Sequence, residues 1–216
     1  MKLIKPRFWH KKINIYSFML LPITLIYIFL TLIKKIFTKK NEFRIPIICI
    51  GNIFIGGTGK TPLAIHMAKK LERIGKKPVI IKKFYNNQSD EKMLIEKNNI
   101  KQIITEKRFT ALKLAEKKFN VAIMDDGFQD FSIKKDLNII CFNSNQLFGN
   151  GYIFPSGPLR ESIKAIDKAQ LILINGKKNK IFENKIREIN KSAKIFYTKY
   201  IPRNIKRFKN SKVLAF

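Results

Sequence analysis

Lys60 and Thr61 follow glycines at positions 51, 56, 57 and 59, and an apolar-periodic run begins two residues later at Leu63. The stretch 46–62 reads PIICIGNIFIGGTGKTP. Its opening apolar residues suffice for a buried strand and are too few for a helix. Strand, glycine-rich loop and helix in that order can cradle an anion. Loop N–H groups point at it, and the helix dipole favours negative charge there. With a nucleotide as the anion, Lys60 reaches the β- and γ-phosphates and the Thr61 hydroxyl sits on Mg²⁺. The expected cradle is Phe54, Ile55, Gly56, Gly57, Thr58, Gly59, Lys60 and Thr61. Phe54 occupies the first glycine position of the usual G-x-x-x-x-G-K-[ST] pattern. Ile55 stands where the variant K-G-G-x-G-K-T loops carry an extra lysine.

A second group is VAIMDDGFQD, residues 121–130. A carboxylate at the carboxyl end of a parallel strand can hold Mg²⁺ beside a phosphate loop, which makes Asp125 and Asp126 metal candidates. Taken alone, D-D-G is also turn composition. A third group is GNGYIFPSGPLRES, residues 149–162, a Gly/Pro/Ser loop carrying Arg160. Arginine suits bidentate phosphate contacts. Ser156 or Ser162 can cap the helix that follows.

Around these groups the pattern predicts a helix over 63–74 and strands at 78–82, 101–105, 120–124, 137–142, 170–174 and, weakly, 194–198. Asn86-Asn87 is turn chemistry, and Ser89 or Asp90 can cap a helix to about residue 97; another helix is expected over 106–118. Strands alternating with helices give an α/β fold with a mostly parallel sheet and helices on both faces, of the P-loop NTPase kind.

Residues 13–33 carry no charge, enough length for a helix that crosses a hydrocarbon core. Basic clusters flank the run on both sides. They suit a spanning helix, or one dipping into an anionic interface. The formal net charge of +29 favours anionic partners. Lysine is spread along the whole chain, however, and no aromatic-basic pattern of an RNA-binding sheet occurs, so no nucleic acid is expected. The two cysteines, Cys49 and Cys141, lie in apolar runs, which excludes a disulfide scaffold and a Cys zinc site.

The combination GGTGKTP, DDGFQ and GPLRE, behind an apolar N-terminal segment, resembles the tetraacyldisaccharide 4'-kinase family. The resemblance runs from about residue 5 to about residue 175 and returns faintly at 212–216. It implies transfer of the ATP γ-phosphate to the 4'-hydroxyl of an acylated glucosamine disaccharide 1-phosphate, a step of lipid A biosynthesis. It also implies Mg²⁺ and a catalytic domain on the cytoplasmic side of the inner membrane; a monomer is expected. Carried over by residue, it makes Lys60 and Thr61 the loop pair and Asp125 and Asp126 the paired aspartates. Gln129, Arg160 and Arg108 become substrate contacts. Asp90, in Asp90-Glu91, becomes the base that takes the sugar hydroxyl proton.

Two departures stand out: Asp130 replaces the family's usual His, and the segment before Asp90 is short. The implied organisation is a membrane-anchoring segment at 1–44, a kinase core at 45–205, and the opening of a truncated second domain at 206–216. The competing expectation is a membrane-anchored P-loop ATPase of the switch type acting on a protein partner.

Overall fold

The computed structural model describes residues 6–11, 14–85 and 89–199. The turn expected at Asn86-Asn87, the side chain of Ser89 and the opening of a second domain at 206–216 lie outside the described residues.

Seven strands form one sheet: β1 (Ile47–Gly51), β2 (Pro78–Lys83), β3 (Gln102–Thr105), β4 (Val121–Asp125), β5 (Leu137–Asn143), β6 (Leu171–Asn175) and β7 (Lys194–Thr198). Their order is β3-β2-β4-β1-β5-β6-β7, and every pairing is parallel. The loop-bearing β1 is therefore central, between β4 and β5. Parallel strands with both faces covered read as unbroken apolar runs, which explains IICI, VII and VAIM.

The period of two divides each strand between faces. Ile50, Ile80 and Ile123 pack under α3 (Lys60–Arg73) and beside α4 (Ser89–Lys97). Ile47, Val79, Ile81, Ala122 and Met124 pack against Ala111 and Leu112 of α5 (Arg108–Ala115) on the other face. Further along that face, Cys49, Ile140, Phe142, Ile172 and Ile174 meet Phe182 and Ile186 of α6 (Lys180–Ile189). Burial pushes the Cys49 thiol up to about 11 and the Cys141 thiol up to about 12. Both are inert core groups at neutral pH.

The N-terminal segment departs from a single spanning helix. From Asn14 onward the run divides into α1 (Ile15–Met19) and α2 (Leu21–Phe37), joined at Leu20. Pro22 is the cause: it lacks an N–H, and it takes its place in the first turn of α2, where that N–H has no helical partner. The last turn of α2 carries Lys34 and Lys35. At 17 residues α2 is about 25 Å long, against a hydrocarbon core of about 30 Å. Among the described residues no helix is long and apolar enough to cross a membrane.

One polar stripe docks these helices on the 149–162 loop. The Thr24 hydroxyl donates to Ser156 Oγ at 2.8 Å in a buried contact, and the Ser156 N–H donates back to Thr24 Oγ1 at 3.1 Å. Trp9 Nε1 donates to the Pro155 carbonyl, and Asn150 Nδ2 to Ser17 Oγ, each at 3.1 Å. The opposite face leaves Met19, Leu25, Ile26, Phe29, Ile36 and Phe37 exposed.

Candidate active site

The loop between β1 and α3 is held open by its own side chains. Asn52 Nδ2 donates to the carbonyls of Phe54 at 2.6 Å and Gly56 at 3.1 Å, stapling the turn from within. Gly59 caps α3 with φ of 86°, a left-handed conformation that disfavours a side chain. The helix thus begins at Lys60, three residues before the apolar periodicity starts. Gly51 closes the other end. A Cβ there would meet Phe128 Cβ at 2.3 Å, so glycine is what brings β1 against the DDGFQ turn.

The structure sorts the eight expected loop residues. Gly56, Gly57 and Lys60 line a cavity of about 180 Å³ together with Lys82, Glu91, Asp125, Asp126, Arg108 and Arg160. Phe54 is buried in the core, so only its backbone belongs to the loop. The Ile55 N–H is already committed to the Pro158 carbonyl at 2.8 Å. The Arg160 N–H likewise donates to the Ile53 carbonyl at 2.7 Å. These two bonds join the phosphate loop to GPLRE and carry Arg160 to the cavity. Thr58 is buried with a hydroxyl that has no partner.

Asp125 and Asp126 have separate tasks. Asp125 ends β4 and is 2% exposed. Its Oδ2 accepts from Thr61 Oγ1 at 2.7 Å and from Lys82 Nζ at 2.9 Å. Its Oδ1 is buried without a partner. An orphaned carboxylate oxygen beside a threonine hydroxyl is the hard-oxygen donor set of Mg²⁺. That ion uses one or two carboxylates, completing its shell with water and substrate phosphates. The residues present therefore fit the ion.

Asp126, with φ of 57°, turns the other way and becomes a hub of cations. Arg160 Nη1 donates to Oδ1 and Oδ2 at 3.0 and 3.1 Å. Lys60 Nζ lies 3.4 Å from Oδ1, and Arg108 Nη2 donates to the Asp126 carbonyl at 2.7 Å. Burial opposes the charge of Asp126, but Lys60 and the two arginines outweigh it and hold the carboxyl below its usual range.

Gln129 sits between the motifs. Its Nε2 donates to the Asn52 carbonyl at 2.8 Å and to Glu161 Oε1 at 3.0 Å, and its Oε1 accepts from Arg160 at 3.4 Å. Arg108 is buried and pairs with Asp130 at 3.4 Å. The residue replacing the family's histidine is thus an arginine partner. Asp90 stands exposed in the first turn of α4, and Glu91 beside it lines the cavity.

Lys82 escaped the sequence reading. It is 4% exposed and joins Asp125 to Glu91. Burial works against its charge, yet Asp125 and Glu91 raise its pKa above the ordinary value. The available signal was a lysine closing an apolar strand at the same sheet edge as Asp125.

A family model described as tetraacyldisaccharide-1-P 4'-kinase matches residues 16–215. A tetraacyldisaccharide 4'-kinase of Pelagibacter ubique is 45% identical over 100% of this chain and 70% of its own length. One from Wigglesworthia glossinidia brevipalpis is 36% identical over 78% of this chain and 53% of its own. The solved structure of LpxK from Aquifex aeolicus in complex with ATP superposes with a TM-score of 0.62 at 28% identity, over 73% of this chain and 58% of that one. The signal recognition particle 54 kDa protein of Aeropyrum pernix, at 0.52 and 12% identity, shares the fold alone. The motifs, the parallel sheet and these matches agree, and the chain belongs to the tetraacyldisaccharide-1-P 4'-kinase family.

Proposed function

We propose that this chain transfers the γ-phosphate of ATP to the 4'-hydroxyl of a tetraacylated glucosamine disaccharide 1-phosphate, in lipid A biosynthesis. The observation that carries the reading is the convergence of Lys60, Arg108 and Arg160 on Asp126 beside the open oxygen of Asp125. Phosphoryl transfer asks mainly for positioning and charge neutralisation, and this cavity supplies both. The loop amides at Gly56–Gly57 and the Lys60 ammonium receive the β- and γ-phosphates. Thr61 Oγ1 and Asp125 Oδ1 would hold Mg²⁺. Held there, the ion would supply charge neutralisation to the phosphates. Arg160 and Arg108 face the transferring group, and Gln129 keeps Arg160 aimed. Asp90 accepts the proton of the sugar hydroxyl. A switch-type ATPase acting on a protein partner gives GPLRE no task, whereas here Arg160 completes the cavity.

The test is incubation with ATP, Mg²⁺ and acylated disaccharide 1-phosphate in detergent, read by mass spectrometry. The expected product is heavier by one phosphate; ATP hydrolysis with the disaccharide unchanged would refute the assignment.

The same reading places α1 and α2 on the cytoplasmic face of the inner membrane, the apolar face in the acyl region and Lys34, Lys39 and Lys40 at the headgroups. The exposed apolar residues of α2 support an interfacial helix. Full-length chain should float with phosphatidylglycerol–phosphatidylcholine vesicles and stay with them in 1 M salt, where charges are screened within about 3 Å. Complete release by salt would show that charge alone holds it.

A further inference from the structure

A pair of lysines lies outside the phosphate loop and has no part in the chemistry described so far. Lys35 lies in the last turn of α2, and Lys168 closes the 3₁₀ turn Ile163–Lys168. Their ammonium groups flank one ring: Lys35 Nζ is 5.8 Å and Lys168 Nζ 5.5 Å from the centroid of Phe131. Among the described residues Lys168 has one ion pair, with Glu161 at 3.6 Å. That carboxylate is already shared with Gln129. The local balance is a surplus of positive charge. Burial pushes the Lys168 ammonium below its ordinary pKa; Glu161 opposes the shift, and the nearby charge of Lys35 adds to it. A group in that state gains from an added anion.

The two lysines line a cavity of about 360 Å³ with Tyr27, Gln129, Phe131 and Arg160. Ile28, Leu32 and Ile153 make its apolar side. Tyr27, Gln129, Phe131 and Arg160 also line the neighbouring cavity of about 580 Å³ that reaches Asp126 and Arg108. One continuous trough therefore runs from the phosphate-transfer site to the lysine pair, along the inner side of α2.

We propose that Lys35 and Lys168 form a second anion site, which takes the phosphate monoester at the far end of the acceptor lipid while its hydroxyl end lies beside Asp126. The inference rests on the acceptor named under Proposed function. Two ammonium groups with an apolar wall match a phosphate carried on an acylated sugar: the charge meets the lysines and the chain meets Ile28 and Leu32. Lysine binds phosphate as a point charge, so arginine should replace it with little loss and methionine should not. Methionine keeps the apolar stem that covers Phe131.

The experiment measures acceptor binding in neutral-detergent micelles, without ATP, for the full chain and for Lys35→Met, Lys168→Met, the double variant and the double arginine variant. Loss of two charge-assisted contacts should weaken binding of the phosphate-bearing acceptor by about 100-fold or more in the double variant. Each single variant should fall between, and the arginine variant should stay near wild type. With acceptor stripped of its phosphate monoester, wild type and double methionine variant should bind alike. Unchanged affinity in a double variant that melts like wild type would overturn the proposal. So would an equal loss toward the stripped acceptor. Vesicles of phosphatidylglycerol or phosphatidylcholine separate the other source of phosphate. If the variants lose phosphatidylglycerol vesicles but keep the acceptor, the pair reads membrane headgroups and the proposal fails. Because binding is read without transfer, failure of the phosphotransfer assay itself would appear separately.

Discussion

Lys60→Ala is expected to lower turnover by at least about 10²–10³-fold, the loss that follows removal of one donor poised on developing charge. ATP affinity should fall as well. The cavity holds other cations, Lys82, Lys83, Arg108 and Arg160, but none of them lies in the phosphate loop. Lys82 joins Asp125 to Glu91, Arg108 holds the Asp126 carbonyl and Asp130, and Arg160 grips the Asp126 carboxylate. Only Lys60 stands at the N-terminus of α3, where the dipole and the loop amides point. Removing it also takes away the first of the charges that depress Asp126, so that carboxyl should titrate at higher pH in the variant. A depressed carboxylate stabilises the fold above its unfolded pKa and loses that contribution as pH falls through the folded one. The variant should therefore lose this contribution at a higher pH than wild type does. Equilibrium nucleotide binding and a pH series of melts check both halves. Retained ATP affinity and activity would remove the phosphate-loop assignment.

Asp125→Asn is expected to have two effects that can be separated. It removes the open oxygen proposed for Mg²⁺, so turnover should fall and the Mg²⁺ requirement should shift. It also leaves the buried Lys82 ammonium with Glu91 alone, a half-exposed partner. Removing one member of a buried ion pair costs about 3–5 kcal/mol, so the variant should melt lower even without nucleotide. The sign for Lys82 is the reverse of a carboxylate. Its raised pKa stabilises the fold at neutral pH, a contribution lost only as pH rises through the folded value. Adding Lys82→Met should recover melting temperature without recovering transfer. If asparagine at 125 leaves both the Mg²⁺ dependence and the melt unchanged, Asp125 is a turn residue and nothing more.

The parallel sheet was legible because IICI, VII and VAIM are short apolar runs bounded by glycine, lysine or aspartate. The phosphate loop was legible because strand, GTGK and helix coincide. Lys82 was not, since a lysine at a strand end reads as solvated until the neighbouring strand brings Asp125 to it. Helix α6 also escaped. Its KIFENKIREI is polar around most of its circumference, and Phe182 and Ile186 are its buried residues. The N-terminal run was over-read for the opposite reason: apolar length was visible, but Pro22 starting a new helix was not. Gln129 was named as a substrate contact. Its hydrogen bonds to Asn52, Glu161 and Arg160 depend on three chain-distant segments meeting, which spacing alone does not disclose.

The central place of β1 has a consequence for synthesis on the ribosome. The strand bearing the phosphate loop is made first, but its neighbours β4 and β5 come some seventy to ninety residues later. Arg160, whose N–H closes the loop from outside, comes later still. Positions 50 and 160 are about 110 residues apart, so at the usual elongation rates roughly 5–20 s separate the making of the loop from the making of its last support. Until β4 and β5 are made, Ile47–Ile50 is an apolar segment with no strand on either side. The nascent chain is thus most exposed to mispairing before it can hold a nucleotide. Stalling translation just before and just after Arg160 emerges should separate chains without and with a formed ATP site.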